Sequence, residues 1–285
     1  MDIRKMTISD RSNLNQRDFI KIQVPVPPLE VQREIVCILD SFTELTAKIT
    51  VELTAEFTAR KKQYEFYRDA LLTFSNESNE LIQKLCPNGV EYKTIQEVCV
   101  NICSGGTPKT SISEYYGGDI PWVRTQEVDW NYIYDTDVKI TEEGLANSSA
   151  KWIPANCIIV AMYGATAAKV TINKIPVTTN QACCNLEINE NIVLIRYVYH
   201  FLCNEYENLK GMGQGSQSNI NAQMIKNYRL PVPPLEVQRE IVRILDSFTL
   251  LTADLNTGLP AEIEARQKQY EYYRDRLLNF EPIAK

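Results

Sequence analysis

Pro25-Val-Pro-Pro-Leu-Glu-Val-Gln-Arg-Glu-Ile-Val36 recurs without change as Pro231-Val-Pro-Pro-Leu-Glu-Val-Gln-Arg-Glu-Ile-Val242, 206 positions later. The copy extends over residues 25–74 and 231–280, where 36 of 50 positions are identical, and closes on Gln63-Tyr-Glu-Phe-Tyr-Arg-Asp69 against Gln269-Tyr-Glu-Tyr-Tyr-Arg-Asp275. A segment repeated at a fixed offset is one structural unit used twice. Two equal arms therefore flank an unlike middle, and function is to be sought in how the arms serve it.

The first arm places seam residues at Ile35, Ile38, Phe42, Leu45, Ile49, Leu53, Phe57, Tyr64, Tyr67, Leu71 and Phe74, with Arg60 in the slot between Phe57 and Tyr64. The second repeats the pattern at Ile241, Ile244, Phe248, Leu251, Leu255, Leu259, Ile263, Arg266, Tyr270, Tyr273, Leu277 and Phe280. Steps of three and four residues are the spacing of a coiled-coil seam, with one extra four-residue step near the middle where a supercoil locally unwinds. One such stripe alone reads as an ordinary amphipathic helix against a core. Two matching stripes, each about 60 Å long as helix, offer each other a partner, and with a folded segment between them they are expected to pack antiparallel. The arginine shared by both seams costs stability but can fix register. Pro27-Pro28 and Pro233-Pro234 are suited to open helices before Glu30 and Glu236, whereas Gly258 and Pro260 predict a break and restart within the second arm.

Between Leu81 and Leu230 the texture changes to short apolar runs and turns. Cys157-Ile-Ile-Val-Ala-Met162, Lys169-Val-Thr-Ile172 and Ala182-Cys-Cys-Asn-Leu186 read as strands. Residues Asn191 to Leu209 read as a helix that Gly211 ends. The expected architecture is α+β, with one mixed α/β domain plus two long helices forming an antiparallel coiled coil. Its expected divisions are 1–24, 25–74, 75–230 and 231–285.

At 285 residues and 44% apolar content the chain can build an ordinary core. No apolar run approaches the length of a bilayer span, and the start has no secretory character, so a cytosolic protein is expected. Its eight cysteines then serve as reduced, packed thiols, and none is spaced C-x-x-C, so no metal and no cofactor is expected. A net charge of −6 is unusual for a nucleic-acid binder, which ordinarily presents a basic face. DNA binding would need a local patch or a partner that supplies positive charge.

Catalytic chemistry is scarce. Gly164-Ala-Thr-Ala-Ala-Lys169 lacks the second glycine of a phosphate-binding loop, and the single histidine, His200, sits in the expected helix, where a packing role outweighs catalysis. Polar loops stand out instead. Ser104, Gly105, Gly106, Thr107 and Lys109 can bring backbone N–H groups and a charge to a phosphate. Gln214, Gly215, Ser216, Gln217 and Asn219 present amides and hydroxyls suited to base edges. Arg124, Thr125 and Gln126 follow one apolar run, Tyr163 and Gly164 another, with Lys169 nearby. Each loop taken singly reads equally well as a surface turn.

The duplicated Pro-Val-Pro-Pro-Leu-Glu-Val-Gln-Arg-Glu-Ile-Val, the trailing Tyr-Glu-x-Tyr-Arg-Asp, and Leu85-Cys-Pro-Asn-Gly-Val-Glu-Tyr92 resemble specificity subunits of type I restriction-modification systems. Gly105-Gly-Thr-Pro, Gly118-Asp-Ile-Pro-Trp, Asn180-Gln-Ala and Gly215-Ser-Gln-Ser-Asn-Ile also resemble that family's target-recognition domain. Short pieces such as these are weak one by one, but their order around a duplicated helix is specific. The resemblance implies that the middle domain reads part of a double-stranded DNA site. It implies that the arms dock methyltransferase subunits and, through them, a restriction/translocase subunit. A non-catalytic role is implied with it.

The family pattern alternates recognition domain and arm twice, whereas here residues 1–24 look like the tail of a first recognition domain, with Ser12-Asn-Leu-Asn15 standing 206 positions before Ser218-Asn-Ile-Asn221. The expectation is a half-size subunit that forms a homodimer and restores a symmetric two-part reader. The competing readings are a coiled-coil scaffold or inactive truncated product without a DNA role, and a solitary DNA methyltransferase. The last lacks an Asn-Pro-Pro-aromatic motif.

Overall fold

Two prolines cannot donate backbone hydrogen bonds, and Pro27-Pro28 accordingly closes an irregular approach and opens a 44-residue helix, α1 (Leu29–Leu72). The Gln32 side chain reaches back to the Pro27 carbonyl at 2.6 Å, and the Gln32 N–H takes the Pro28 carbonyl at 3.0 Å, so the first turn is held from both sides. The computed structural model describes residues 24–74, 84, 86–213 and 219–280, and the backbone alone of residues 250–260. The chain falls into two compact units, Met1–Ala59 with Ala253–Lys285, and Arg60–Thr252.

In the described part of the first unit, α1 runs against the closing helix of the chain, which is also 44 residues long and spans Leu235–Leu278. Phe42 stacks on Tyr273 with ring centroids 5.1 Å apart, and Thr43, Thr46 and Ala47 share a groove with Ile263, Arg266 and Tyr270. Residue numbers rise along one helix as they fall along the other, so the pairing is antiparallel. Leu45 departs from the expected seam: it is 49% exposed, and Thr46 is turned inward instead. The helix period gives the reason, because from Phe42 a step of four residues lands about 40° off the seam and a step of three about 60° off. Thr46 adapts to the interior by donating its hydroxyl to the Phe42 carbonyl at 2.8 Å.

The expected break at Gly258 and Pro260 does not occur, and the closing helix is continuous through both. An interior proline removes one hydrogen bond and crowds the carbonyl four residues back, at about 3 kcal/mol. Cooperative propagation through the turns on either side tolerates a local cost of that size.

The second unit holds the middle segment. Its strands are β1 (Glu91–Thr94), β2 (Cys99–Ser104), β3 (Tyr116–Val123), β4 (Tyr132–Ile133), β5 (Lys139–Ile140), β6 (Ile158–Ala161), β7 (Val170–Asn173), β8 (Thr178–Thr179), β9 (Cys183–Ile188) and β10 (Arg229–Val232). Its short helices are α2 (Glu142–Ala146), α3 (Ile195–Asn204), α4 (Tyr206–Gly211) and α5 (Ala222–Asn227), so the closing helix is α6. The main sheet has five strands in the order β2-β9-β6-β7-β4, antiparallel except for β4 beside β7. A three-stranded sheet follows the order β5-β3-β8, and β1 pairs antiparallel with β10 alone.

Alternation along β6 divides the interior. Ile158, Val160 and Met162 join a large core with Val170, Ile172, Leu186 and the helices, while Cys157, Ile159 and Ala161 join a second core with Val123, Ile153 and Val177. The large core also contains the arm ends that belong to this unit: Leu71 and Leu72 of α1, and Val237, Ile241 and Leu245 of α6. Tyr67 stacks on Phe248 at 5.3 Å, so the two helices are in contact here as well.

The helix expected over Asn191 to Leu209 is two, and it starts later. The Leu194 N–H is held by the Gln238 side chain at 2.8 Å, which fixes the turn ahead of Ile195, and α3 gives way to α4 at Glu205.

Candidate nucleic-acid interface

The loops that follow β2, β3, β6 and β8 meet along one edge of the second unit, joined by a continuous line of hydrogen bonds. Thr107 Oγ1 donates to Gln181 Oε1, and the Asn180 N–H donates to the Val123 carbonyl at 3.0 Å. Beyond Arg124, Thr166 Oγ1 donates to the Thr125 carbonyl at 2.7 Å. The Gly164 N–H then reaches Asn219 Oδ1 at 3.3 Å, and the Ile220 N–H the Met162 carbonyl at 3.0 Å. Thr107, Arg124, Thr125, Gly164 and Asn219, distant in sequence, thus stand on one edge. Gln214, Gly215, Ser216 and Gln217 lie outside the described residues.

Gly105 and Gly106 do not form an open cradle. Both are buried, the Gly106 N–H is taken by the Thr179 carbonyl at 2.9 Å, and its own carbonyl accepts from Trp122 Nε1 at 3.0 Å. A Cβ on Gly105 would stand 1.9 Å from the Thr179 carbonyl oxygen, so glycine is required here for close backbone approach. Lys169 is also engaged: its Nζ lies 2.6 Å from Asp129 and 4.4 Å above the Trp130 ring. Among the described residues expected from sequence, Lys109, Gln126, Tyr163 and Gly164 are exposed, with Tyr163 at 42%, and Thr107 and Arg124 are partly exposed.

Arg124 is poised rather than fixed. Glu127 accepts from the backbone N–H groups of Arg124 and Asp137, each at 2.9 Å, and this holds its carboxylate 3.7 Å from the guanidinium. Asp137 stands at the same 3.7 Å, and Arg124 Nε makes no hydrogen bond among the described residues. A half-exposed guanidinium with loose ion pairs can turn to a better acceptor at low cost.

Sequence reasoning missed Gln181, Lys151 and Trp152. Gln181 is exposed beside Thr107, and its Asn180-Gln-Ala context was the available signal. Lys151 and Trp152 are both exposed, Trp152 at 50%, and they follow Ser149 and Ala150, which close over Gly106. A bulge-free reading of single loops gives no hint of that adjacency.

Among the described residues, the buried titratable groups serve packing and the ties between helices. Burial pushes the thiols of Cys99, Cys157, Cys183 and Cys184 up to about 12, which leaves them unreactive. His200 is 2% exposed, and its Nε2 lies 2.6 Å from Asp246 Oδ1, with Arg196 Nε on the other carboxylate oxygen at 3.3 Å. The trio ties α3 to α6 within this unit. Burial lowers the His200 pKa below its usual 6.5 despite the Asp246 bond, so the ring is neutral and donates Nε2–H to the carboxylate. Burial would raise Asp246, but the bonds from His200 and Arg196 outweigh it and bring it down to about 2.

Both groups bind protons more weakly when folded, so both contributions are complete above the unfolded values and decline as pH falls. The melting temperature is expected to drop as pH falls below 6.5 through His200, with a second decline below about 4 through Asp246. In His200→Gln the first of these slopes disappears, as melting curves collected from pH 7.5 to 5 would register; an unchanged slope would place the titration elsewhere.

Residues 4–58 and 87–265 match the family described as type I restriction modification DNA specificity domain. The type I restriction enzyme EcoR124I/EcoR124II specificity subunit of Escherichia coli is 39% identical over 281 residues, covering 94% of this chain and 65% of that protein. A putative type I specificity subunit of Mycoplasma pneumoniae, S.MpnORF201P, is 28% identical over 275 residues, covering 91% of this chain and 97% of the relative. The chain thus spans about two thirds of the E. coli relative and nearly all of the second. Among solved structures, the HsdS subunit from Thermoanaerobacter tengcongensis superposes with a TM-score of 0.65 at 17% identity, covering 96% of this chain and 65% of that one. At that identity the likeness establishes the fold.

Proposed function

Because the chain belongs to the type I restriction-modification DNA specificity family, we propose that it is a non-catalytic specificity subunit whose residues 75–230 read one half of a bipartite DNA site. Arms 25–74 and 231–285 dock methyltransferase subunits and, through them, the restriction/translocase subunit. Two copies together present the same reader twice and give a symmetric two-part site. Residues 1–24 correspond to the end of a further recognition domain.

The single observation that carries this reading is the hydrogen-bonded edge on which Thr107, Gln181, Arg124, Thr125, Gly164 and Asn219 converge. It offers amides, hydroxyls and one loosely paired guanidinium, the groups that recognise base edges. Lys109, with Lys151 beside the same loops, supplies phosphate contacts. The sparse positive charge fits a reader that binds DNA as one member of an assembly whose other subunits hold the duplex.

The test is quantitative binding by the complex reconstituted with methyltransferase subunits. Arg124→Ala is expected to cost about 1–3 kcal/mol on the cognate site and relax discrimination at one base pair. Lys109→Ala is expected to weaken all duplexes alike and reduce the slope of log K against log salt by about 1. Assembled complexes in which neither change alters binding would favour the scaffold reading.

A further inference from the structure

The repeat allows the same arm end to be seen in two settings. In the second unit, Leu230, Gln238 and Ile241 are fully buried, and Leu72 is 3% exposed, all against the recognition domain. There β10 pairs with β1 in the register Glu91↔Val232, Tyr92↔Pro231 and Lys93↔Leu230. Gln238 Oε1 accepts from Leu194 N–H at 2.8 Å, while its Nε2 donates to the Ile192 carbonyl at 3.2 Å and the Pro233 carbonyl at 2.7 Å.

In the first unit, the duplicates of these residues line an open cleft of about 450 Å³ formed by Val24, Val26, Ile35, Val36, Leu278 and Phe280. Val24 is 72% exposed, Val26 82%, Val36 55% and Leu278 48%. Gln32 keeps the bond inside its own arm, to the Pro27 carbonyl, that Gln238 makes to Pro233. The same residues that are buried in one setting are thus set around an apolar cleft in the other, and a contiguous exposed patch of this kind marks an interaction surface.

We propose that this cleft is the contact through which two copies of the chain associate, resting on the homodimer reading above. A second copy cannot offer its recognition domain to the cleft, because the matching β1 edge and the Ile192–Leu194 turn are already engaged by its own β10 and Gln238. What it can offer is its own cleft. The stretch 24–26 duplicates 230–232, a segment that forms an antiparallel pair, and an antiparallel pair of identical segments is related by a twofold axis. Its exposed valines and backbone groups are a template for pairing with another chain.

Sedimentation velocity on the full chain at micromolar concentration tests this with three proteins. The unmodified chain is expected to be dimeric. Val26→Asp combined with Val36→Asp, both at exposed positions, is expected to weaken the dimer about a hundredfold with an unchanged circular-dichroism spectrum and melting temperature of the separated monomer. Val51→Asp, 68% exposed elsewhere on α1, is expected to leave the dimer intact. A monomeric unmodified chain overturns the proposal, as does a double variant that stays dimeric. A chain that is dimeric only when Val51 is intact overturns it too and assigns the contact to the flanks of the arms. The function is judged separately: a double variant that is monomeric yet still directs methylation to a two-part symmetric motif leaves the DNA-reading role standing and removes the cleft from it. If the unmodified chain is monomeric and its cleft becomes protected from hydrogen exchange only when a separate specificity polypeptide is added, the occupant is a foreign recognition domain and the proposal fails.

Discussion

Gln238→Ala is expected to destabilise the second unit by about 3 kcal/mol, a fall in melting temperature of roughly 6–12 °C. The side chain is fully buried and serves the Leu194 N–H and the Ile192 and Pro233 carbonyls, and alanine leaves all of them short of a partner. Unmet backbone groups cost more than the net value of the bonds removed, because water cannot reach them. The identical substitution at the duplicate position, Gln32→Ala, removes one bond to Pro27 at the rim of an open cleft and is expected to change monomer stability by less than about 0.5 kcal/mol. Differential scanning calorimetry at a dilution that separates the copies makes the comparison. Equal effects would mean that the two arm ends have the same surroundings, contrary to the structure.

Gly105→Ala is expected to cost about 3 kcal/mol and to abolish DNA recognition without removing any group that could touch DNA. The added Cβ would stand 1.9 Å from the Thr179 carbonyl oxygen and 2.3 Å from Thr179 Oγ1. Thr179 is fully buried on β8, and its hydroxyl accepts from Asn185 Nδ2 at 2.9 Å, so it has no room to retreat. Relief would move β8 relative to β3 and separate the Asn180–Gln181 turn from Thr107 and Val123. Thr107→Ala, which removes a single surface bond, is expected to leave stability within about 0.5 kcal/mol. Binding and melting measured together on both variants distinguish a packing role for the glycine from direct contact with phosphate.

Much of the architecture is legible in the residues because it rests on periodicity. The repeat and the three-and-four spacing specify two long helices, and the apolar runs at 157–162, 169–172 and 182–186 fall on β6, β7 and β9. Where the structure departs from the pattern, a tertiary contact or a small angular difference decides. Leu45 and Thr46 lie on either side of the seam by similar angles, so composition favours leucine while helix geometry favours threonine. Pro260 is a strong helix breaker locally, yet its cost is small against the rest of a 44-residue helix. The start of α3 depends on Gln238, a residue 44 positions from Leu194, which no local window contains.

The candidate interface was legible as a set of loops and not as a surface. Gly105 and Gly106 carry the same sequence signature whether a glycine pair cradles a phosphate or lets two backbones touch, and only the position of Thr179 separates the two. Lys169 reads as a free charge until Asp129 is found 2.6 Å away. Lys151 and Trp152 gain significance solely from the closure of Ser149 and Ala150 over Gly106. Side-chain chemistry is written locally, whereas availability depends on contacts between residues far apart in the chain.

As proposed, the edge built from the loops after β2, β3, β6 and β8 selects a DNA sequence for modification by partner subunits. Its most direct test is to express the chain with those methyltransferase subunits and map modified adenines across a genome, alongside the Arg124→Ala variant. One two-part symmetric motif is expected for the unmodified chain, relaxed at a defined base pair in the variant. Methylation without a motif, or the same motif unaltered when Arg124, Lys109 and Gln181 are all replaced in an assembled complex, would contradict it.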